Sequence, residues 1–185
     1  GTLQRTAAMA NAEDLAAFIG YVECLNEEDG NEAKKCLREG LREDVGAFLR
    51  SDCDEQLLLS ISFTQPVKLH SLSIAAHGQS AGAAPRAVKL FVNSVGLSFE
   101  DAESAPGAQK LELSAAQVAE GARIPLQIVR FQSVSSLTIF VGSNQDDEDQ
   151  TCIGRLCLWG SPVATTNMKN FGKQGEQAGA QPAPP

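Results

Sequence analysis

The stretch that decides the fold is Ser51-Asp52-Cys53-Asp54-Glu55-Gln56-Leu57-Leu58-Leu59-Ser60-Ile61-Ser62-Phe63. Its acidic opening reads as a turn, after which Leu57, Leu59, Ile61 and Phe63 alternate with Leu58, Ser60 and Ser62. A period of two is the pattern of a strand that buries one face. Further strands are expected at residues 67–76, 86–93, 109–113, 127–132, 135–141 and 152–160, with Gly, Pro, Asn and Asp turns between them. About seven strands so punctuated favour an all-β sandwich or barrel over a βαβ fold.

Details of the pattern sharpen this reading. Pro66 suits the start of a strand, where its missing N–H does no harm. Val67 and Leu69 occupy one parity and Leu72 and Ile74 the other, which predicts a bulge at His70 or Ser71. Leu15, Phe18 and Ile19 recur at helical offsets in a short turn over residues 13–19. Asn31 is the expected cap of a helix ending at Gly40, with Lys34, Lys35 and Arg38 toward its C-terminus, the order that suits the helix dipole. Ser114 and Gln117 form a capping box before a short helix at residues 115–120.

The chain has 185 residues, enough for one domain that hides roughly 70% of its unfolded surface. Its 23 acidic and 15 basic residues give a net charge of −8, which repels phosphate backbones and argues against nucleic acid and anionic membranes as partners. No apolar run nears the ~20 residues of a membrane helix, and a signal peptide's apolar segment is missing, so an intracellular chain is expected. Five irregularly spaced cysteines argue for reduced thiols rather than a disulfide framework. From residue 172 onward the Gly, Gln, Ala and Pro composition is that of a disordered tail.

Several constellations invite a chemical reading. Gly78-Gln79-Ser80-Ala81-Gly82 matches the Gly-x-Ser-x-Gly elbow, with His70 and His77 close in sequence, but that elbow needs a helix after it and a strand is expected there instead. Asp52, Asp54 and Glu55 are candidate carboxylates for acid/base work or a hard cation, or side chains that cap turn N–H groups. The run from Asn144 to Asp149 lacks the alternating ligands and central glycine of an EF-hand loop, and reads as a solvated loop able to meet a basic partner. Cys152 and Cys157 leave opposite faces of one expected strand, while Cys24, Cys36 and Cys53 lie close enough in sequence to approach one another without a zinc-site pattern. Trp159 is a core anchor or a sugar-stacking platform. Lys68, Lys89, Arg130 and Gln132 alternate with apolar residues and are candidates for one polar docking face. No metal or cofactor is expected.

The segments SDCDEQLL, QPVKLHSLSI, VKLFVN, FEDAE, VRFQSVSSLTIFVGSNQ and GSPVATTNM occur in an order that resembles the C-terminal proteasome-interacting (PITH) domain family of thioredoxin-like proteins. The likeness runs from Glu23 to Phe171, and several dispersed segments in order are more specific than one motif. It implies a jelly-roll β-sandwich, like a galactose-binding domain with short peripheral helices. The expected organisation is a lead-in at residues 1–22, the domain at 23–171 and the tail at 172–185. The implied role is non-catalytic docking on the 26S proteasome regulatory particle, by a monomer, in the cytoplasm and also the nucleus. Thr165 to Met168 would be a peripheral docking strand, with Asn167 in it and Met168 and Phe171 as apolar anchors. Gln127 stands where the family carries a basic residue, and the thioredoxin Trp-Cys-x-x-Cys motif is absent from these residues. The alternative role is a carbohydrate-binding module, because jelly rolls often host sugars.

Overall fold

The computed structural model describes residues 11–40, 44–78 and 81–164. In chain order the strands are β1 (Glu13–Asp14), β2 (Ile19–Leu25), β3 (Leu49–Arg50), β4 (Leu57–Ala75), β5 (Pro85–Val92), β6 (Gln109–Glu112), β7 (Ile124–Pro125), β8 (Val134–Asn144), β9 (Cys152–Ile153) and β10 (Arg155–Pro162). Helices are α1 (Ala33–Leu37), α2 (Phe99–Ser104) and α3 (Ala115–Glu120), with 3-10 turns at Leu15–Phe18 and Ile128–Arg130. All the strand pairs are antiparallel.

The opening stretch is the first half of β4, a strand of 19 residues that belongs to both layers. Over Leu57 to Ser62 it lies between β2 and β8, and β8 leads on to β5 and β6. Over Val67 to Ala75 it lies beside β10, with β7 touching at Ser71 and Leu72. Pairing with β8 breaks between Ser62 and Val67, where the strand crosses from one layer to the other. Pro66 therefore sits within one continuous strand and not at the start of a second. Its missing N–H falls at the crossover, where its carbonyl accepts from Val163 N at 2.9 Å.

Both ends of β4 return to the same end of the sandwich. Thr151 N donates to Ser51 Oγ at 2.8 Å, and three residues on Gly154 N donates to the Ala75 carbonyl at 2.9 Å. Leu57, Leu59 and Ile61 from one layer meet Leu69, Leu72, Ile74, Leu156 and Leu158 from the other in a single core. The expected bulge is present. Trp159 pairs with Ser71 and Gly160 with Leu69, skipping His70, so inward parity changes there and both apolar pairs reach the core.

Other elements differ from expectation. Leu58, on the outward parity, is buried with Phe91, Phe140 and Ala102 beneath α2. That helix follows a Ser98/Asp101 capping box. Residues 127–132 are not a strand. The bonds Arg130 N to Gln127 O and Phe131 N to Ile128 O, 2.8 and 3.1 Å, close a tight turn that leaves Val129 exposed and drives Phe131 into the core. The expected strand at 152–160 is split at Gly154, whose N–H donates to the Ala75 carbonyl at 2.9 Å and whose backbone runs so close to Ala76 that an added Cβ would lie 2.6 Å from its carbonyl oxygen. Cys152 and Cys157 thus sit on different strands, and a shared parity argument does not apply to them.

In the N-terminal region, α1 is shorter than expected and is capped from outside. Glu27 Oε2 accepts from Ala33 N at 2.8 Å, while Asn31 Nδ2 donates to Glu28 Oε2 at 2.6 Å. Residues 13–22, read as part of a lead-in, supply β1, a 3-10 turn with Asp14 Oδ1 accepting from Ala16 N, and the first residues of β2. The α3 capping box is formed as expected, and Gly121 ends that helix at φ 61°. Among the described residues no helix is long and apolar enough to cross a membrane.

Candidate functional site

The acidic turn and the acidic loop, read separately in the sequence, come together at the end of the sandwich where β4 begins. Asn26, at φ 66°, organises the turn. Its Nδ2 donates to Asp54 Oδ1 at 2.8 Å and to the Gln56 carbonyl at 2.7 Å, and its Oδ1 accepts from Cys53 N at 3.0 Å. Across the gap, Gln150 Nε2 donates to the carbonyls of Ser51 and Asp52 at 2.8 and 2.9 Å. Thr151 Oγ1 donates to the Glu55 carbonyl at 2.6 Å.

Asn144 plays the matching part for the loop. Fully buried, it donates from Nδ2 to the carbonyls of Glu148 (2.8 Å) and Gln150 (3.2 Å) and accepts at Oδ1 from Glu148 N (2.8 Å). It is a staple inside the loop rather than a contact residue. Between the two segments lies a cleft of about 370 Å³, with Cys53, Asp54 and Glu55 on one wall and Asn144, Asp147 and Glu148 on the other. Arg86 is the cation at its edge, 3.1 Å from Asp147 Oδ1 and 3.8 Å from Glu112 Oε1. The carboxylates stand outward on a backbone tied down by neutral side chains. A partner that brings positive charge would find them already in place.

The other candidates do not join this rim. Lys89 Nζ is spent on the end of α2, donating to the carbonyls of Ala102 (3.0 Å), Glu103 (2.5 Å) and Ala105 (3.2 Å). Arg130 Nη1 donates to the Ala108 carbonyl at 2.9 Å and Gln132 Nε2 to the Ile128 carbonyl at 2.9 Å, each pinning the turn before β8. Lys68 is exposed on the second half of β4, opposite Ser161. Three of these four side chains are thus engaged in local hydrogen bonds, and Lys68 stands exposed. Asn167, Met168 and Phe171 lie outside the described residues, as does the expected tail.

The reactive-looking groups are quiet. Gln79 and Ser80 lie outside the described residues, but residues 81–84 run as a turn into β5 with no helix to complete the elbow. His77 stacks on Phe48, ring centroids 3.9 Å apart. Burial pushes the Cys36 thiol up to about 12 and raises those of Cys24 and Cys152, while the Asp52 carboxylate raises that of Cys53. These four thiols are thus disfavoured as thiolate nucleophiles. Among the described residues no three His, Cys, Asp or Glu side chains gather as a metal cluster. Trp159 is half-buried, with the Arg123 guanidinium 3.6 Å above its ring, so that face is not open to stack on a sugar.

Behind the rim, Arg50 Nε and Nη2 reach Glu28 Oε2 and Oε1 at 2.6 and 2.8 Å. Hydrogen bonds from Arg50, then from Asn31, hold the Glu28 carboxyl below its ordinary 4.5. A depressed carboxylate stabilises the fold fully above its unfolded value, and that contribution is lost as the pH falls through the folded one. We therefore expect the urea midpoint to drop on acidification below about 4.5, and Glu28→Gln to flatten that acid limb. An acid limb unchanged in the variant would refute this role for the pair.

Sequence reasoning found Asp52, Asp54, Glu55 and the loop but missed Asn26, Gln150 and Thr151, which bring them together. The partners are 100 positions apart for Ser51 and Thr151, and no local pattern signals such a contact.

The fold matches solved carbohydrate-binding domains at low identity. The paired CBM32 domains of Clostridium perfringens ZmpB superpose with a TM-score of 0.61 at 7% identity, over 84% of this chain and 38% of theirs. A fucolectin from striped bass (Morone saxatilis) gives 0.61 at 13%, over 85% and 52%. These likenesses establish the galactose-binding-like jelly roll and nothing about ligand. By sequence, thioredoxin-like protein 1 of Schizosaccharomyces pombe is 40% identical over 154 residues, covering 82% of this chain and 52% of the relative. PITH domain-containing protein 1 of Danio rerio is 35% identical over 127 residues, covering 68% and 59%. The chain thus spans somewhat over half the length of these two curated relatives. With the PITH domain profile matching residues 6–176, on a jelly roll whose acidic end is built from the segments that first suggested the likeness, this chain belongs to the PITH domain family.

Proposed function

We propose that this domain is a non-catalytic protein-interaction module that docks on the regulatory particle of the 26S proteasome. It would work in the cytoplasm and nucleus, as the C-terminal part of a thioredoxin-like protein. The observation that carries the reading is the rim, where two acidic segments from distant parts of the chain are locked side by side by Asn26, Asn144, Gln150 and Thr151. A preorganised, predominantly acidic surface, with Arg86 as a cation at its edge, steers association with a basic partner and sets register, without needing a reaction centre. Identification of the proteasome as that partner rests on the family resemblance.

The test is capture of proteasomes from cytosol by the purified chain and by a variant with Asp54→Lys and Asp147→Lys. Capture should fall roughly tenfold, and the wild-type chain should lose grip steeply as salt is raised. A parallel variant with Met168→Ala and Phe171→Ala reads the contribution of the tail. Undiminished capture by the charge-reversed chain would remove the rim from the account, and no capture by the wild type would remove the proteasome.

A further inference from the structure

Among the described residues the sheet ends at β6, which pairs with β5 on one side and with no strand on the other. Its register sets Ala87 opposite Glu112, Val88 opposite Leu111 and Lys89 opposite Lys110. One step beyond Ala87 and Glu112, Leu113 N donates to the Arg86 carbonyl at 2.8 Å, which makes Arg86 and Leu113 a hydrogen-bonded pair. Such pairs alternate along an antiparallel ladder, so Leu111 turns its backbone groups toward β5 while Lys110 and Glu112 turn theirs away. At the start of the strand Gln127 N donates to Gln109 Oε1 and Arg130 Nη1 to the Ala108 carbonyl, which closes that end. The open edge runs from Lys110 to Glu112, and both of these side chains are exposed.

Charge usually guards a sheet edge, because an edge of one sign repels a second copy of itself. On β6 the signs are opposite. Lys110 has a like charge, Lys89, as its cross-strand neighbour and no carboxylate within ion-pair distance among the described residues. Glu112 has Arg86, at 3.8 Å. An antiparallel copy centred on Leu111 brings Lys110 opposite Glu112 of the second copy, and Glu112 opposite its Lys110, with the free backbone groups of both facing one another. Leu111 then meets its own equivalent at the two-fold axis, on the half-buried face. Moving that axis by one residue would set Lys110 against Lys110 or Glu112 against Glu112. We propose that β6 is a self-association edge, through which two copies of the chain join antiparallel into one continuous sheet. Each body carries a net charge of −8, a long-range repulsion that a Debye length of about 8 Å at physiological salt screens while leaving adjacent ions in contact. So short a contact belongs to the weak, transient class, with a Kd of about 0.1 mM.

Sedimentation equilibrium of the full chain at physiological salt, carried to about 1 mM, should show a monomer–dimer equilibrium. In the ¹⁵N-labelled chain the amide resonances of Lys110 and Glu112 should shift with concentration. Lys110→Glu and Glu112→Lys, both at exposed positions, should each weaken self-association about tenfold by setting like charges face to face. An equimolar mixture of these two variants should associate again, as one all-acidic and one all-basic edge, and so should the double variant, in which the signs are exchanged. A chain that stays monomeric over the whole range would overturn the proposal. So would concentration-dependent shifts on another edge with β6 unmoved, single variants that associate as the wild type does, or a mixture that fails to regain what each variant lost.

Discussion

Gly160→Ala is expected to be the most damaging small substitution in the fold. An added Cβ would collide with the Lys68 carbonyl oxygen and come within 3.0 Å of the Lys68 carbonyl carbon and 3.1 Å of Leu15 Cδ1. Neither wall can retreat, since Lys68 is in register with Ser161 on the same strand pair and Leu15 is fully buried. The bulge at His70 is what draws the two backbones together. We expect a loss of about 4 kcal/mol, at the upper end for a point change, and a melting temperature lower by ~10 °C. Gly46→Ala is the control, with its nearest neighbour Asp44 Oδ1 at an ordinary 3.4 Å, and should stay within about 0.5 kcal/mol of wild type. If the two variants melt alike, the close approach at Gly160 is wrong.

Asn144→Ala should have the second largest effect. The side chain gives hydrogen bonds to the carbonyls of Glu148 and Gln150 and takes one from Glu148 N, all within a buried site. Alanine would strand those groups, and we expect a cost of about 3 kcal/mol in a urea titration. Asn144→Asp would do no better, because it would set a buried carboxylate against two carbonyl oxygens. The loop at residues 145–151 should lose amide-exchange protection before the rest of the sandwich does. On the proposed docking role, capture of proteasomes should weaken although no acidic side chain has been removed. A stable variant with a protected loop would mean that Thr151 and Gln150 suffice to hold the rim.

The layer architecture was legible because strands at the core write their burial into every second residue, as Leu57, Leu59 and Ile61 do. Even the bulge was readable, from the change of parity between Leu69 and Leu72. Residues whose burial comes from a covering element were not. Leu58 looks solvent-facing until α2 lies on it, and Val22 and Cys24 of β2 fall between the turn expected at residues 13–19 and the helix expected from Asn31. The turn at residues 127–132 failed for another reason: Ile128, Val129 and Phe131 put apolar groups on both parities, which fits a strand or a tight turn equally. At the rim, the charged residues announced themselves while the amide and hydroxyl side chains that arrange them did not. Asn and Thr carry no sequence mark that separates a long-range staple from an ordinary surface position.

A single strand that serves both layers leaves the domain without separable halves. A fragment ending at Phe63 would keep β2 but lose the partner of β10, and one beginning at Val67 would lack the strand that joins β2 to β8. Neither piece owns a complete sheet. Cutting the chain at the crossover would therefore be expected to unmake the whole body at once, and insertions are better tolerated almost anywhere else on the surface.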